Sequence, residues 1–477
     1  MAVINRPGSV VTLRTTQSSI SVPTDTGVAF VAGLTDRGPL VPTAIHSMQE
    51  FVTIFGDRQT YSILYDWLDV YFREGGNVAY ISRVVGPGAT TGTLNLLDAG
   101  AAISLVANAN GPGAWSSSYK VQVAAGVGSG TFVVRVLDAS NNVLEDSGDL
   151  VDTPAAVQWS QFSRYIRLVL GASANDPAVL AATALSAGND DRASVTDTQW
   201  ATALALFSKD LGPGQVAAPG RTSDTAHSQL IAHEQSNNRV AVLDYPDSVL
   251  TGTLLASAAA ARDRAASGFA PWLTVPGVVS GTFRVVPPSA LICGLCGRND
   301  PALGANHPAA GRFGVSRYAY DLSQAAWTDL NVTTLNAGGV NVIRRYQGSI
   351  QVFGWRSTST DQNWVDFGNA RLFMAIAAQL DQVAQNFLFE EIDGQDGSTV
   401  NEFHTSCVGV MMDFFRGRQL FGATPPEAFN VDTGPAVNTL QTIANNELHA
   451  VVSVRMATMA EWVQIEVVKV PVTQSLV

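Results

Sequence analysis

Residues 62–85, SILYDWLDVYFREGGNVAYISRVV, place a helical pattern directly before a strand pattern. The apolar side chains of the first half recur at helical spacing, which predicts one buried helical face. They are Leu64, Trp67, Leu68, Tyr71 and Phe72. Gly75 and Gly76 predict the end of this helix, and residues 78–85 predict a strand. An earlier apolar run at residues 28–33 predicts a buried strand, so strand, helix and strand follow in order and indicate an α/β core.

Residues 89–195 differ from this core because small and β-branched side chains dominate them. Strand candidates lie at residues 119–124, 131–137 and 165–170. Asn141-Asn142 stands between two apolar pairs and predicts a hairpin turn. We expect a β-rich insertion, and its many acidic side chains predict that it faces outward.

Helix and strand patterns alternate again after residue 196. Apolar stretches at residues 290–294 and 350–355 predict two further strands, and long helices are expected from residue 369 onward. Residues 448–454 predict a strand. Residues 463–470 largely alternate apolar and polar side chains, as a half-buried strand does.

These patterns divide the chain into six segments of an α/β (α+β) multidomain protein. The segments are an extended N-terminal arm (1–22), the N-terminal part of an α/β core (23–88), the β-rich insertion (89–195), a core domain (196–357), a C-terminal α+β domain (358–461) and a C-terminal arm or strand (462–477). Residues 1–22 hold too few large apolar side chains to form a core, so they are expected to be disordered or bound to something else.

The composition excludes several classes of protein. The chain of 477 residues carries a net charge of −12, which argues against binding to a nucleic-acid backbone. Its sequence contains neither a secretory signal nor an uninterrupted apolar run of roughly 18 residues. Only 14% of the residues are charged, against roughly a quarter in ordinary proteins. Contacts between subunits would cover such a neutral surface, although a large core would also lower the charged fraction.

The cysteines are candidates for a metal site or for a disulfide bond. Cys293 and Cys296 have the CxxC spacing, and His404 with Cys407 supplies a second pair. A zinc site and a disulfide among these three cysteines are the alternatives to unreactive thiols in the core, which we take as the default. The CxxC pair is expected in or beside an apolar strand, which is an unusual setting for zinc. No metal ligand is therefore predicted.

Asp244, Ser289 and His307 are the candidate catalytic side chains for a hydrolase. No GxSxG elbow precedes a helix, and the order of these residues fits no known triad signature. The chain also lacks the GxxxxGK[ST] motif of a phosphate-binding loop. The sequence thus predicts no catalytic residue, no cofactor and no enzymatic activity.

Ordered motifs along the chain resemble one known family. They are the opening Arg6-Pro7-Gly8-Ser9-Val10-Val11, then Arg37-Gly38-Pro39, Glu50-Phe51 with Phe55-Gly56, Tyr71-Phe72-Arg73-Glu74-Gly75-Gly76, Val286-Pro287-Pro288-Ser289-Ala290 with Asp300, Gly354-Trp355-Arg356-Ser357, and Phe429-Asn430-Val431-Asp432. In order and spacing they are similar to contractile phage tail sheath proteins, over most of the chain outside residues 89–195.

The resemblance implies a fold and a set of partners. Residues 196–357 would have a topology like that of subtilisin without its protease site, and residues 358–461 would face an inner tube. The chain would form a helical homo-oligomer of stacked hexameric rings, in contact with a tail tube protein, a baseplate and a tail terminator. It would be assembled in the host cytoplasm and belong to the virion. Contraction would drive the tube through the host envelope for genome ejection, without membrane insertion or direct contact with nucleic acid.

The two ends of the chain are the expected functional sites. Exposed sheet edges accept strands from other chains, so residues 8–20 are expected to add to a C-terminal sheet of one neighbouring subunit. Residues 462–472 are expected to add to another neighbour or to complete the sheet beside residues 448–454. The side chains expected in this strand exchange are Val10, Val11, Leu13, Val463, Ile465, Val467 and Val470. A helix at residues 399–418 is expected to contact the tube through Arg416 and Arg418.

Three alternatives stay open at the level of sequence. The same features suit the sheath of a related contractile machine, such as a bacteriocin-like particle or a secretion system. A hydrolase with a subtilisin-like fold would need a catalytic triad and usually an export signal, and neither was found. A solitary binding module with immunoglobulin-like domains would leave the α/β core and the arms without a role.

Overall fold

The structure is a computed structural model that describes residues 24–324, 327–392, 397–461 and 464–465. It is a mixed α/β protein with several sheets, as the sequence predicted. None of the helices in these ranges has the length and apolar character of a membrane span.

The first part of the chain supplies three strands to a large central sheet and two helices that pack beside it. These elements are β1 (Ala29–Gly33), β2 (Thr43–Ile45), α1 (Met48–Phe55), α2 (Leu64–Glu74) and β3 (Ala79–Arg83). The predicted helix and the strand after it are confirmed. Gly75 ends α2 with a φ of 110°, a left-handed conformation that favours glycine.

Residues 89–195 form two antiparallel sheets around one apolar core. Their elements are β4 (Thr91–Leu97), β5 (Ile103–Pro112), β6 (Lys120–Ala125), β7 (Phe132–Leu137), β8 (Val143–Asp146), α3 (Thr153–Ser160), β9 (Ile166–Leu170) and β10 (Leu180–Ala184). The strand orders are β4-β5-β9 and β10-β6-β7-β8, and Leu105, Val121 and Ile166 lie in the shared core. The hairpin predicted at Asn141 joins β7 to β8, and Asn141 has a φ of 66°.

The next part of the chain returns to the central sheet. Its elements are α4 (Asp197–Ala205), β11 (Gln215–Ala217), α5 (Asp224–Asn237), β12 (Val240–Asp244), α6 (Thr251–Ala260), β13 (Ala266–Ala270), β14 (Leu273–Pro276), β15 (Phe283–Val286), α7 (Ser289–Leu303), β16 (Asp321–Leu322), α8 (Asp329–Ala337), β17 (Val340–Tyr346) and β18 (Ser349–Val352). The central sheet has the order β18-β17-β13-β12-β11-β1-β3-β2.

The central sheet is parallel in its middle and antiparallel at both edges. Strands β1, β12 and β13 are buried along their whole length, because helices cover both faces of the sheet. Trp67 and Tyr71 of α2 lie in the core on one face. Phe30 and Phe207 lie in the core on the other face.

The strand predicted at residues 290–294 is wrong, because these residues lie inside helix α7. Residues 289–297 of α7 are all buried. Apolar and polar side chains therefore do not alternate along them with a period that would distinguish a buried helix from a buried strand. Helices α2 and α7 pack closely, and a Cβ on Gly294 would lie 2.8 Å from the Tyr71 carbonyl oxygen.

The C-terminal part contains two long helices and a two-stranded sheet. Its elements are α9 (Phe367–Gln385), α10 (Ser398–Arg416), α11 (Pro425–Ala428), β19 (Phe429–Asp432), α12 (Leu440–Ala444) and β20 (Val451–Val454). Leu372, Met411 and Val431 lie in one core that joins α9, α10 and β19. The long helices and the strand near residues 448–454 are thus confirmed. The division of the chain into six segments stays a prediction.

Candidate functional site

Asp244 and Ser289, two of the catalytic candidates, meet at the end of the central sheet. Asp244 ends β12, and Ser289 begins α7. The Ser289 backbone N–H donates to Asp244 Oδ1 at 2.9 Å, and the Ser289 hydroxyl donates to Asp244 Oδ2 at 2.8 Å. His307 lies elsewhere, with its ring 4.3 Å from that of Phe313. The nearer imidazole is that of His227, whose Nε2 lies 3.0 Å from the Asp244 carbonyl oxygen.

This arrangement lacks the geometry of a catalytic triad. A triad serine donates its hydroxyl proton to an imidazole base, whereas Ser289 donates to a carboxylate. Ser289 and His227 are fully buried, so a substrate carbonyl cannot reach the hydroxyl. Burial raises the pKa of Asp244 to about 6. The network instead joins three elements, because the Trp67 indole N–H of α2 donates to Ser289 Oγ at 2.8 Å.

The variant Ser289→Ala is expected to lower the free energy of unfolding by about 1–3 kcal/mol, because it leaves the buried Trp67 indole N–H without its acceptor. Urea unfolding followed by tryptophan fluorescence measures this change. Ser117→Ala is the matched control, since its exposed hydroxyl donates to the Ala114 carbonyl oxygen. Equal stability of the two variants would contradict the structural role of Ser289.

The three cysteines are free and buried. Cys293 and Cys296 lie one turn apart in α7, so the prediction that they lie in or beside a strand is wrong. Cys407 belongs to the separate core around α10. Burial raises the pKa of the Cys296 thiol to about 12, which keeps it protonated at neutral pH. Across the described ranges, no group of three or more His, Cys, Asp or Glu side chains is placed to hold a metal ion.

The sheet of β19 and β20 is the candidate assembly site. The two strands are antiparallel, with Phe429 opposite Val454 and Asp432 opposite Val451. Among the described residues these strands pair only with each other. Phe429 and Val431 are buried in the C-terminal core, while Val451 is half exposed. A two-stranded ribbon is marginal by itself, and its outer edges can accept further strands.

Most side chains predicted to exchange strands fall outside the described residues. These are Val10, Val11, Leu13, Val463, Val467 and Val470. Ile465 is described, and 81% of it is exposed. The participation of all seven side chains in strand exchange stays a prediction.

Arg416 and Arg418 lie close together at the end of α10. Arg416 is the last residue of the helix and is 3.6 Å from Asp413, with both side chains exposed. Arg418 has a φ of 57° and borders a groove of about 1040 Å³. The sequence did not reveal this groove, since its walls come from α8, residues 306–313, residues 353–356 and residues 457–461. Tube contact through the two arginines stays a prediction.

A buried ion pair holds the N-terminal root, which we define as residues 24–27. The Thr26 hydroxyl donates to Asp300 Oδ2 at 2.7 Å. The same carboxylate pairs with Arg371 of α9, and both of these side chains are buried. Arg371 also donates to the Ala305 carbonyl oxygen at 2.9 Å.

A second cluster holds the C-terminal root, which we define as residues 457–461. Glu461 accepts hydrogen bonds at 2.8 Å from Arg356 Nε and from Asn336 Nδ2. Burial raises the pKa of Asp366, the N-cap residue of α9, to about 6, and a hydrogen bond from the Met459 backbone opposes this rise. Met459 also packs against the core of the central sheet. The sequence did not reveal either root, because each joins residues that are far apart along the chain.

The fold defines a class of mixed α/β, multidomain protein. Solved structures of sheath proteins are similar to it along nearly its whole length. The helical sheath of the anti-feeding prophage in its contracted state is 17% identical, with a TM-score of 0.60 over 98% of this chain and 99% of the other. The sheath of an extracellular contractile injection system is 14% identical, with a TM-score of 0.57 over 98% of each chain.

A bacterial sheath tail protein has the same fold. The protein from Listeria innocua is 12% identical, with a TM-score of 0.60 over 86% of this chain and 89% of the other. No protein family model and no curated protein matches the sequence. The fold is therefore similar to that of these solved sheath proteins.

Proposed function

We propose that this chain is the structural subunit of a contractile sheath. The observation that carries the proposal is the similarity in fold to a helical sheath over 98% of this chain and 99% of the other. A match of this extent includes both the central sheet and the C-terminal part, so it does not rest on one common domain. The low share of charged residues, 14%, supports a surface that neighbouring subunits cover.

Subunits would join by adding strands to the sheet of β19 and β20. Residues 8–20 of one neighbour would pair with one free edge, and residues 462–472 of another would pair with the other edge or extend the sheet beside β20. Such head-to-tail contacts do not close between two copies, so they build a helical tube. Contraction is then a rigid-body change of subunit packing, whose energy is stored during assembly.

The proposed partners follow from this role. They are further copies in stacked hexameric rings, a tail tube protein, a baseplate and a tail terminator, with residues 358–461 facing the tube and residues 89–195 facing outward. The negative net charge of −12 supports a role without direct nucleic-acid contact. The geometry of Ser289 and Asp244 supports a role without catalysis. The subunit would form in the host cytoplasm and belong to the assembled particle.

Two kinds of contractile particle fit this proposal. A phage tail would use the sheath to drive its tube through the host envelope for genome ejection. An extracellular injection particle is the second candidate, because two of the similar structures come from the anti-feeding prophage and from an extracellular contractile injection system. Genes for a capsid and a terminase beside this gene would favour the phage.

Negative-stain electron microscopy of the purified full-length chain at high concentration tests the role itself. We expect hollow, striated tubes. Compact monomers under all assembly conditions would contradict the proposal.

The double variant Arg416→Glu/Arg418→Glu is expected to weaken attachment of the sheath to its tube about thirtyfold at low salt, because reversed charges at an interface rim cost about 1 kcal/mol each. Co-sedimentation of sheath subunits with preformed tubes measures this. Arg135→Glu/Arg164→Glu, in the insertion, is the matched control. Unchanged attachment of the first variant would contradict tube contact at the end of α10.

A further inference from the structure

The two roots lie at opposite ends of the chain and meet at one short segment of helix α9. Thr26 reaches Arg371 through Asp300, and Glu461 reaches Asp366 through Arg356, which donates to Glu461 and pairs with Asp366 in an antiparallel bridge. Residues 366–371 comprise the N-cap of α9 and its first turns. We name these six residues the arm junction.

The arm junction is held by several contacts within the subunit. Asp366 Oδ1 accepts the Gly368 backbone N–H at 2.8 Å, which caps the helix. Phe367 and Arg371 are fully buried. A Cβ on Gly368 would lie 2.4 Å from the Asn306 carbonyl oxygen, so the chain that follows α7 lies directly against the first turn. These contacts give the junction little freedom to move apart from the central sheet.

Additional contacts direct both roots toward this segment. Gln215 of β11 donates its side-chain N–H to the Thr26 carbonyl oxygen at 2.5 Å, which fixes the path of the N-terminal root. Arg356, which holds Glu461, forms an antiparallel bridge with Asp366. The Arg356 side chain therefore holds Glu461 of the C-terminal root, while the Arg356 backbone pairs with Asp366 of the junction.

We propose that the arm junction is the common mechanical anchor of both terminal arms. Force applied to either arm would be transmitted to the subunit through the start of α9. This proposal rests on the proposed function, since only assembled subunits would pull on each other's arms. A shared anchor keeps the points at which the two arms leave the subunit at a fixed separation. The connections between neighbours could then persist while the subunits rotate relative to one another.

Hydrogen exchange of the full-length, unassembled chain tests whether the roots open as one unit. Thr26→Val removes the hydroxyl donor at one root, and Glu461→Gln removes the charge at the other. If the junction is shared, each variant raises amide exchange about fivefold, the effect of one lost hydrogen bond, at residues 24–27, 366–371 and 457–461 alike. Mass spectrometry of the corresponding peptides measures these rates.

Asp321→Asn is the matched control, because it neutralises a carboxylate in an exposed ion pair with Arg345. It should leave all three segments unchanged. The proposal is overturned if each root variant affects its own root alone, or if the control raises exchange at the three segments as well. Because the chain is unassembled, a failure to form tubes contradicts the proposed function separately and does not alter this result.

Discussion

Deletion of residues 1–20 is expected to abolish tube formation while leaving a folded, soluble subunit. Among the described residues, which begin at residue 24, the first in the core of the central sheet is Val28, and the N-terminal root at residues 24–27 is retained. The melting temperature should therefore change by no more than about 2 °C, since a shift of 1 kcal/mol moves it by only a few degrees. The loss falls on assembly, because each subunit lacks the strand that would pair with a neighbour's β19–β20 sheet. Negative-stain images and sedimentation velocity measure the two outcomes.

A pair of point variants separates strand pairing from other roles of this segment. Val11→Pro removes a backbone donor and disfavours a strand, whereas Val11→Thr keeps a β-branched side chain and the donor. We expect Val11→Thr to form tubes and Val11→Pro to form few or none. Normal tubes from the deleted chain, or equal assembly of the two point variants, would show that residues 1–20 do not join subunits.

The elements of the central sheet could be predicted where sequence pattern and local packing agree. Helix α2 has one buried face and ends at Gly75, so its spacing revealed both its type and its end. The hairpin at Asn141 was likewise predictable, because a residue that tolerates positive φ stands between two strands. In these places each local preference matches the tertiary environment.

Two other features could not be predicted, for different physical reasons. Helix α7 is buried all around, so its sequence carries no amphipathic pattern, and the apolar residues 290–294 predict a strand instead. The roots depend on contacts between distant parts of the chain, such as that between Thr26 and Asp300, which are 274 residues apart. Asp300 and Arg356 belonged to motifs noted in the sequence, yet nothing in those motifs identifies their partners.

Arg371→Met is expected to cost the most stability of any substitution considered, about 3–5 kcal/mol, since it leaves a buried carboxylate without its counter-charge. Arg371 is fully buried and pairs with Asp300, which is buried as well. Urea unfolding at pH 8 measures the loss. Arg73→Met is the matched control, because the Arg73 side chain is 55% exposed in its ion pair with Asp69 and should contribute less than about 1 kcal/mol.

The pH dependence of the stability of the Arg371→Met variant follows from the direction in which the pKa of Asp300 is shifted. Burial already raises the pKa of Asp300 with Arg371 in place, and removal of the guanidinium must raise that pKa further. The folded variant then holds a proton that the unfolded chain releases, so its stability falls as pH rises from about 4 through the raised pKa of Asp300. The variant should be closer to wild type at pH 5 than at pH 8.

The double variant Arg371→Met/Asp300→Asn tests whether charge is the cause. It removes both charges, and the amide oxygen that replaces the carboxylate can still accept the Thr26 hydroxyl, so most of the lost stability and the pH dependence should return to wild-type values. If the double variant is as unstable as Arg371→Met, lost packing of the long arginine side chain explains the effect. In that case the ion pair of Asp300 would not be the interaction that joins α7, α9 and the N-terminal root.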